Sequence, residues 1–274
     1  HMKMMKMQQK EAAKLAGVAP SSIKRWAEQN VLPCVRTAGG HRRFELKTLQ
    51  EFLDKQGPAN TSPTDHDEFI ELMIAGKEKS VVSKLYALLE DLNAWCHVAD
   101  AMEPVLAKLG TLWASGEISV GQEHMASETL SRSIIHVTSA LPAAGQPRKC
   151  LLAVAEGDDH ELGLRLADLC VRARQWKPVW LGRYTSTEIL IEHLGSEKCD
   201  MVALSASRYS IDADTLNGIT KRLEEACRTR GAQLVLGGSG SWPMDLNYAK
   251  RIRSFSEFDG ILGAKEKMGI SSSI

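Results

Sequence analysis

The chain has 274 residues, of which 43% are hydrophobic and 25% charged, which suits two or three globular domains and excludes a mostly disordered polymer. Thirty-four Lys and Arg balance 34 Asp and Glu. No run of about 18 apolar residues offers a hydrophobic membrane span. His1 and Met2 read as a remnant of tag cleavage, and residues 3–9 lack the apolar stretch of a secretory signal. Cys34, Cys96, Cys150, Cys170, Cys199 and Cys227 are scattered without a Cys-x-x-Cys pair. That pattern points to reduced thiols in the cytoplasm, and away from a disulfide scaffold or a zinc ribbon.

The neutral total hides an asymmetry. Residues 3–53 carry ten Lys or Arg against four Asp or Glu, a balance of +6 that the rest of the chain offsets. A small basic module joined to a larger acidic body implies that the first part meets a polyanion. Lys10 to Ala16 has helical composition, Gly17-Val18-Ala19 breaks it, and Pro20 with Ser21 or Ser22 starts a second helix to about Gln29. That helix carries Lys24, Arg25 and Trp26 around an apolar Ile23, with Trp26 as core or platform. Two short helices across a tight turn predict a helix-turn-helix. Beyond it, Gly39-Gly40 suits a hairpin turn, with Arg36, His41, Arg42 and Arg43 along its arms, and Glu45 to Leu53 closes as a helix. The segment resembles the winged-helix DNA-binding domain of the MerR family, whose wing reads much like Arg-Thr-x-Gly-Gly-His-Arg. The resemblance implies that Ser21, Ser22, Lys24, Arg25, Arg36, His41, Arg42 and Arg43 face double-stranded operator DNA.

Residues 56–66, rich in Pro, Gly, Ser and Thr, are expected to be a linker after a head at 3–55. From 67 to 141 apolar residues recur at helical spacing, first Phe69, Leu72 and Met73, then Val82, Leu85, Leu88 and Leu89. Val98, Met102, Val105, Leu106 and Leu109 form a third set, and the fourth helix runs from about Val120 to Ser139. Four such helices on short connections predict an antiparallel bundle. Trp95, Cys96 and His97 read as helix packing.

Residues 148–267 alternate strands and helices. Strands are predicted at 150–155, 178–181, 201–205, 233–236 and 260–262, with helices between them at 164–174, 186–194 and 213–230. This order predicts a Rossmann-like doubly wound parallel sheet, with ligands at the carboxyl ends of its strands. Those ends hold Asp158-x-His160-x-x-Gly163, then Leu181-Gly182, Ser205-Ala206-Ser207 and Gly237-Gly238. A dinucleotide Gly-x-Gly-x-x-Gly is absent from the first loop. The set resembles the cobalamin-binding domain of corrinoid proteins, whose pattern is Asp-x-His-x-x-Gly, 41 residues, Ser-x-Leu and a later Gly-Gly. Here 41 residues also separate Gly163 from Ser205, while Ser207 stands where the family has Leu.

The resemblance implies that His160 is the lower axial ligand of cobalt and Asp158 the partner that fixes its tautomer. Ser205, Gly237 and Gly238 would then let the displaced nucleotide tail lie deep against the sheet, with Gly163, Leu181, Gly182 and Ser207 as further cofactor-binding positions. In the bundle, nine residues separate Trp113 from Glu123-His124. That spacing resembles the cap of light-sensing regulators of the CarH type, and the likeness covers nearly the whole chain. It implies that Trp113 and Val120 wall the space of an adenosyl group, that Glu123 bonds this group or orients His124, and that His124 binds cobalt from above after light. A multidomain α and α/β repressor is therefore expected, with adenosylcobalamin as cofactor and no enzymatic activity. It would hold operator DNA as a homotetramer in the dark and fall to a lower oligomer or monomer in light. The alternatives are a corrinoid carrier of a methyltransferase system and a cobalamin-sensing regulator that ignores light.

Overall fold

The computed structural model describes residues 6–16, 20–28, 32–37, 39–49, 52, 63–145, 148–208 and 211–270. For residues 6, 14, 21, 22, 25, 63–65 and 265–270 only the backbone is described. The head consists of β1 (Lys6–Gln8), α1 (Gln9–Ala16), α2 (Pro20–Glu28), β2 (Val35–Arg36) and β3 (Arg42–Glu45). The expected wing is the β2–β3 hairpin. Its turn closes through Thr37 N–H to His41 O at 2.9 Å and Gly40 N–H to Thr37 O at 2.8 Å. Gly40 has φ 77°, a backbone conformation that disfavours a side chain. A third strand was not expected: β1 adds to the other edge of β3, with Met7 opposite Phe44. Both side chains enter a core with Ile23, Trp26, Leu32 and Leu49, and the Trp26 and Phe52 ring centroids lie 5.1 Å apart. Of the closing helix expected from Glu45 to Leu53, Glu45 instead ends β3, residues 46–49 and 52 are helical, and 50, 51 and 53 lie outside the described residues.

The middle is a four-helix bundle of α3 (Pro63–Ile74), α4 (Glu78–Leu92), α5 (Trp95–Ala114) and α6 (Val120–Ser139). The first of these begins at Pro63, inside the stretch expected as linker. A proline is tolerated at the first helical position because its missing N–H has no helical partner there. Asn93, left-handed at φ 61°, stops α4. Ser119 starts α6 with a reciprocal capping pair to Gln122. Trp95 and Cys96 are buried in the bundle core, as the packing reading expects.

The last third is a five-stranded parallel sheet of β4 (Lys149–Val154), β5 (Lys177–Gly182), β6 (Met201–Ser205), β7 (Gln233–Gly237) and β8 (Lys250–Arg251), in the order β5-β4-β6-β7-β8. Its helices are α7 (Leu162–Ala173), α8 (Thr187–Ser196), α9 (Ala213–Arg230) and α10 (Phe255–Ile270). The fifth strand is not at 260–262. Ile261 and Leu262 belong to α10, where Phe255, Phe258 and Leu262 bury one face at helical spacing. A short apolar run fits either element, and here the helical period wins.

Alternation along the strands divides the core. Leu151, Ala153, Val202 and Leu204 face α8 and α9. Cys150, Leu152, Val154 and Ala203 face α7 and α10, and that core continues without a break into the bundle. The bundle is therefore seated on one side of the sheet. Asp100 of α5 reinforces the seat by accepting from Phe255 N–H at 2.6 Å and Ser256 N–H at 3.1 Å, the free amides of the first turn of α10.

Candidate cofactor site and DNA-facing head

The strand order reverses between β4 and β6, and loops at such a switch point open a crevice at the carboxyl edge. Asp158 and His160 stand on the loop after β4, and Ser205 and Ser207 at the end of β6. Asp158 is 2% exposed, and its carboxylate is the hub of the crevice. Oδ1 accepts from His160 N–H at 3.0 Å, pairs with His160 Nδ1 at 2.9 Å and accepts from Ser207 Oγ at 3.2 Å. Oδ2 accepts the Ser207 N–H. A proton held on Nδ1 by this carboxylate makes Nε2 the donor nitrogen of the ring, and the side chain is 60% exposed. The hydrogen bond to Asp158 raises the imidazole pKa above its usual range, partial burial opposes it, and the charges of Asp158, Asp159 and Glu123 add to the rise. Glu123 belongs to α6, so the start of that helix lies close enough to act on the loop.

Small residues keep the neighbouring loops tight. A Cβ on Gly163 would lie 3.8 Å from Ser205 Oγ. Gly238 has φ 77°, and a Cβ there would run into the Ala206 carbonyl. Gly240, which sequence reasoning passed over, donates its N–H to Ala206 O at 2.8 Å, and Trp242 Nε1 donates to Gly237 O at 2.8 Å. Gly182 is buried at φ 66° at the end of β5, beside a half-buried Leu181. Glu156 was missed as well: it accepts the N–H and hydroxyl of Thr187 at 3.0 and 2.9 Å, pinning the β4 loop to α8. Only its place one residue beyond a strand end could have flagged it.

Trp113, at the end of α5, is 50% exposed, and Val120, at the start of α6, is 56% exposed. Glu123 accepts from Ser127 Oγ at 2.6 Å and stands 3.6 Å from His124 Nε2, while the His124 side chain is 74% exposed. Exposed large apolar groups at one end of a bundle are what a ligand-covering surface presents.

In the head, Lys24, Arg36 and His41 are exposed and Arg43 is half-buried. The Arg42 guanidinium lies 3.0 Å from Glu28 Oε1 on α2. Sequence reasoning missed Glu28, although its i,i+4 spacing from Lys24 was visible. Ser21, Ser22 and Arg25 lie on α2, but their side chains are outside the described residues.

Residues 66–138 match the model of the B12 binding domain and residues 7–57 that of a helix-turn-helix domain. The chain is 27% identical over 271 residues to the HTH-type transcriptional repressor CarH of Myxococcus xanthus, covering 84% of this chain and 88% of that one. It is 29% identical over 152 residues to the HTH-type transcriptional repressor CarA of the same organism, covering 55% of this chain and about half of CarA. The solved monomethylamine corrinoid protein of Methanosarcina barkeri superposes with a TM-score of 0.54 at 18% identity, over 71% of this chain and 94% of that one, and shares the fold. Head, bundle and sheet thus define a cobalamin-binding transcriptional regulator. Within that class the chain is similar to the CarH type. No helix among the described residues is long and apolar enough to cross a membrane.

The residues present fit a corrinoid. Cobalt takes a neutral imidazole whose other nitrogen is bonded to a carboxylate, and the loops between β4, β6 and β7 are lined by glycine and serine.

Proposed function

We propose that this chain is a light-responsive, adenosylcobalamin-dependent repressor that holds operator DNA as a homotetramer in the dark and lets it go in light as a lower oligomer or monomer. The observation that carries the reading is the buried Asp158 holding His160 Nδ1 at the switch point, with the Glu123 end of the bundle close to it. When bound, adenosylcobalamin supplies a cobalt–carbon bond that light cleaves. The chain's own residues do the rest. His160 presents Nε2 from below while Asp158 fixes its tautomer. Gly163, Leu181, Gly182, Ser205, Ser207, Gly237 and Gly238 house the tail. With the cofactor bound, Trp113 and Val120 would exclude water, Glu123 would accept a hydrogen bond or steady His124, and His124 would supply an imidazole to cobalt in the lit state.

The head carries the output. Lys24, Arg25, Arg36, His41 and Arg43, with the Ser21 and Ser22 hydroxyls, contact the DNA backbone and groove. Each head supplies modest phosphate affinity, so loss of the oligomer lowers occupancy steeply. The test is the absorption spectrum and the hydrodynamic size of the purified protein with adenosylcobalamin, in darkness and after green light. A spectral change with a fall in size is expected. Uptake without either change would leave cobalamin sensing without light, and no uptake would end the reading.

A further inference from the structure

Arg42 departs from the other wing cations in its surroundings. Its side chain is 16% exposed, against 58% for Lys24, and its guanidinium is engaged with the Glu28 carboxylate. The two residues are 14 apart in sequence and belong to different elements, β3 of the wing and the last residue of α2. A carboxylate at a helix C-terminus is disfavoured by the helix dipole. Glu28 therefore does not serve its own helix, and Lys24 at 4.0 Å and Arg42 at 3.0 Å offset it. With Arg42 paired to Glu28, a phosphate that met its remaining N–H groups would lie beside an acid.

Resting on the DNA-binding reading above, we infer that Arg42 is a positioning residue: its pairing with Glu28 sets the angle between the wing and α2, and phosphate contacts fall to Lys24, Arg36 and Arg43. A direct phosphate ligand and a tie between elements respond differently to salt. Losing a phosphate contact lowers the slope of log affinity against log salt by about one unit, whereas losing a tie lowers affinity and keeps the slope.

The experiment uses the full chain with a random-sequence 30-base-pair duplex as probe, over a range of salt concentrations. Arg42→Gln and Glu28→Gln should each weaken binding by about two- to fivefold, the worth of an exposed ion pair, with the wild-type slope. The charge-swapped double variant Glu28→Arg with Arg42→Glu should recover most of the affinity. A slope reduced by one unit in Arg42→Gln, together with tighter binding in Glu28→Gln, would overturn the inference and make Arg42 a phosphate ligand. Wild-type affinity in both single variants would overturn it too. If the swapped chain does not fold, the slopes of the single variants decide alone. Failure of the wild type to bind duplex would instead sink the DNA-binding reading. Hydrogen exchange at the 36–43 amides would still report the tie, rising in both single variants if it holds and staying unchanged if it does not.

Discussion

The lower and upper sides of the candidate site are built differently. Below, the loop is tied down by polar contacts: Asp158 is buried and takes hydrogen bonds from His160 and Ser207, while Glu156 fixes the same loop to α8. Above, Trp113, Val120 and His124 project exposed side chains from two helix ends, and the hydrogen bond of Glu123 is to Ser127 of its own helix. The lower side is a preorganised receptor, whose ordering cost is met during folding. The exposed side chains of the upper side can rearrange at little cost, although the helices that carry them are packed on the sheet. On the proposed reading, one side would retain the cofactor and the other would report a change in it.

The sharpest way to break this contrast is to remove the lower donor. His160→Ala is expected to lose most cobalamin affinity and the histidine-ligated absorption spectrum, and Asp158→Ala to cost about 10–100-fold in affinity, as partners of metal-bound histidines do. Titration with cobalamin followed by absorbance measures both, and wild-type binding in either variant would show that retention does not depend on this loop. Next in size is Gly238→Ala. A left-handed backbone carrying a side chain costs about 1–3 kcal/mol, and this Cβ also meets the Ala206 carbonyl. Urea unfolding of the apo protein should register that loss; unchanged stability would mean the β7 loop is as adaptable as the cap.

Much of the lower side was legible because its determinants are local. An apolar strand followed by Asp158-x-His160 and, through the corrinoid resemblance, the interval of 41 residues to Ser205 point to the hub without coordinates. The bundle and wing were legible through period and turn chemistry. Contacts that join distant segments were not. Asp100 meets Phe255 across 155 residues, and no pattern near either predicts it. The Arg42–Glu28 pair exists only once the wing folds back on α2. The edge strand β8 is two residues, Lys250 and Arg251, too short and polar to show alternation, whereas the apolar Ile261-Leu262 suggested a strand that the structure makes helix.

The Asp100 contact explains how a loosely built upper side stays in place. It holds the early part of α5 to α10, and Trp113 lies 13 residues further along, about 20 Å of helix at 1.5 Å per residue. Asp100→Ala should cost about 1 kcal/mol, the scale of a lost helix cap, and lower Tm by about 2–4 °C. Cobalamin affinity should change less than in Asp158→Ala, since retention belongs to the lower side. If the two variants lose affinity equally, the bundle grips the cofactor as firmly as the loop does, and the contrast fails.

The smallest expected effect is the most specific. His124 is exposed at the start of α6 and makes its recorded contact with Glu123 at 3.6 Å, so folding gains little from it. His124→Ala should therefore leave stability within about 0.5 kcal/mol, as surface substitutions do. It should also leave dark adenosylcobalamin binding and dark oligomerisation intact, because on the proposed reading an adenosyl group would already fill the upper position. The difference should appear only after illumination. A neutral imidazole is a good donor to cobalt, and its removal leaves water as the available ligand. The lit spectrum of the variant should then be that of a water- or hydroxide-ligated cobalamin, where the wild type gives the bis-histidine form, and the variant should lose cofactor faster. On the proposed reading the fall in oligomer size should persist, since it would follow loss of the adenosyl group whichever ligand came next. Identical lit spectra for wild type and variant would mean that His124 never reaches the metal, and that the open upper side moves without binding it.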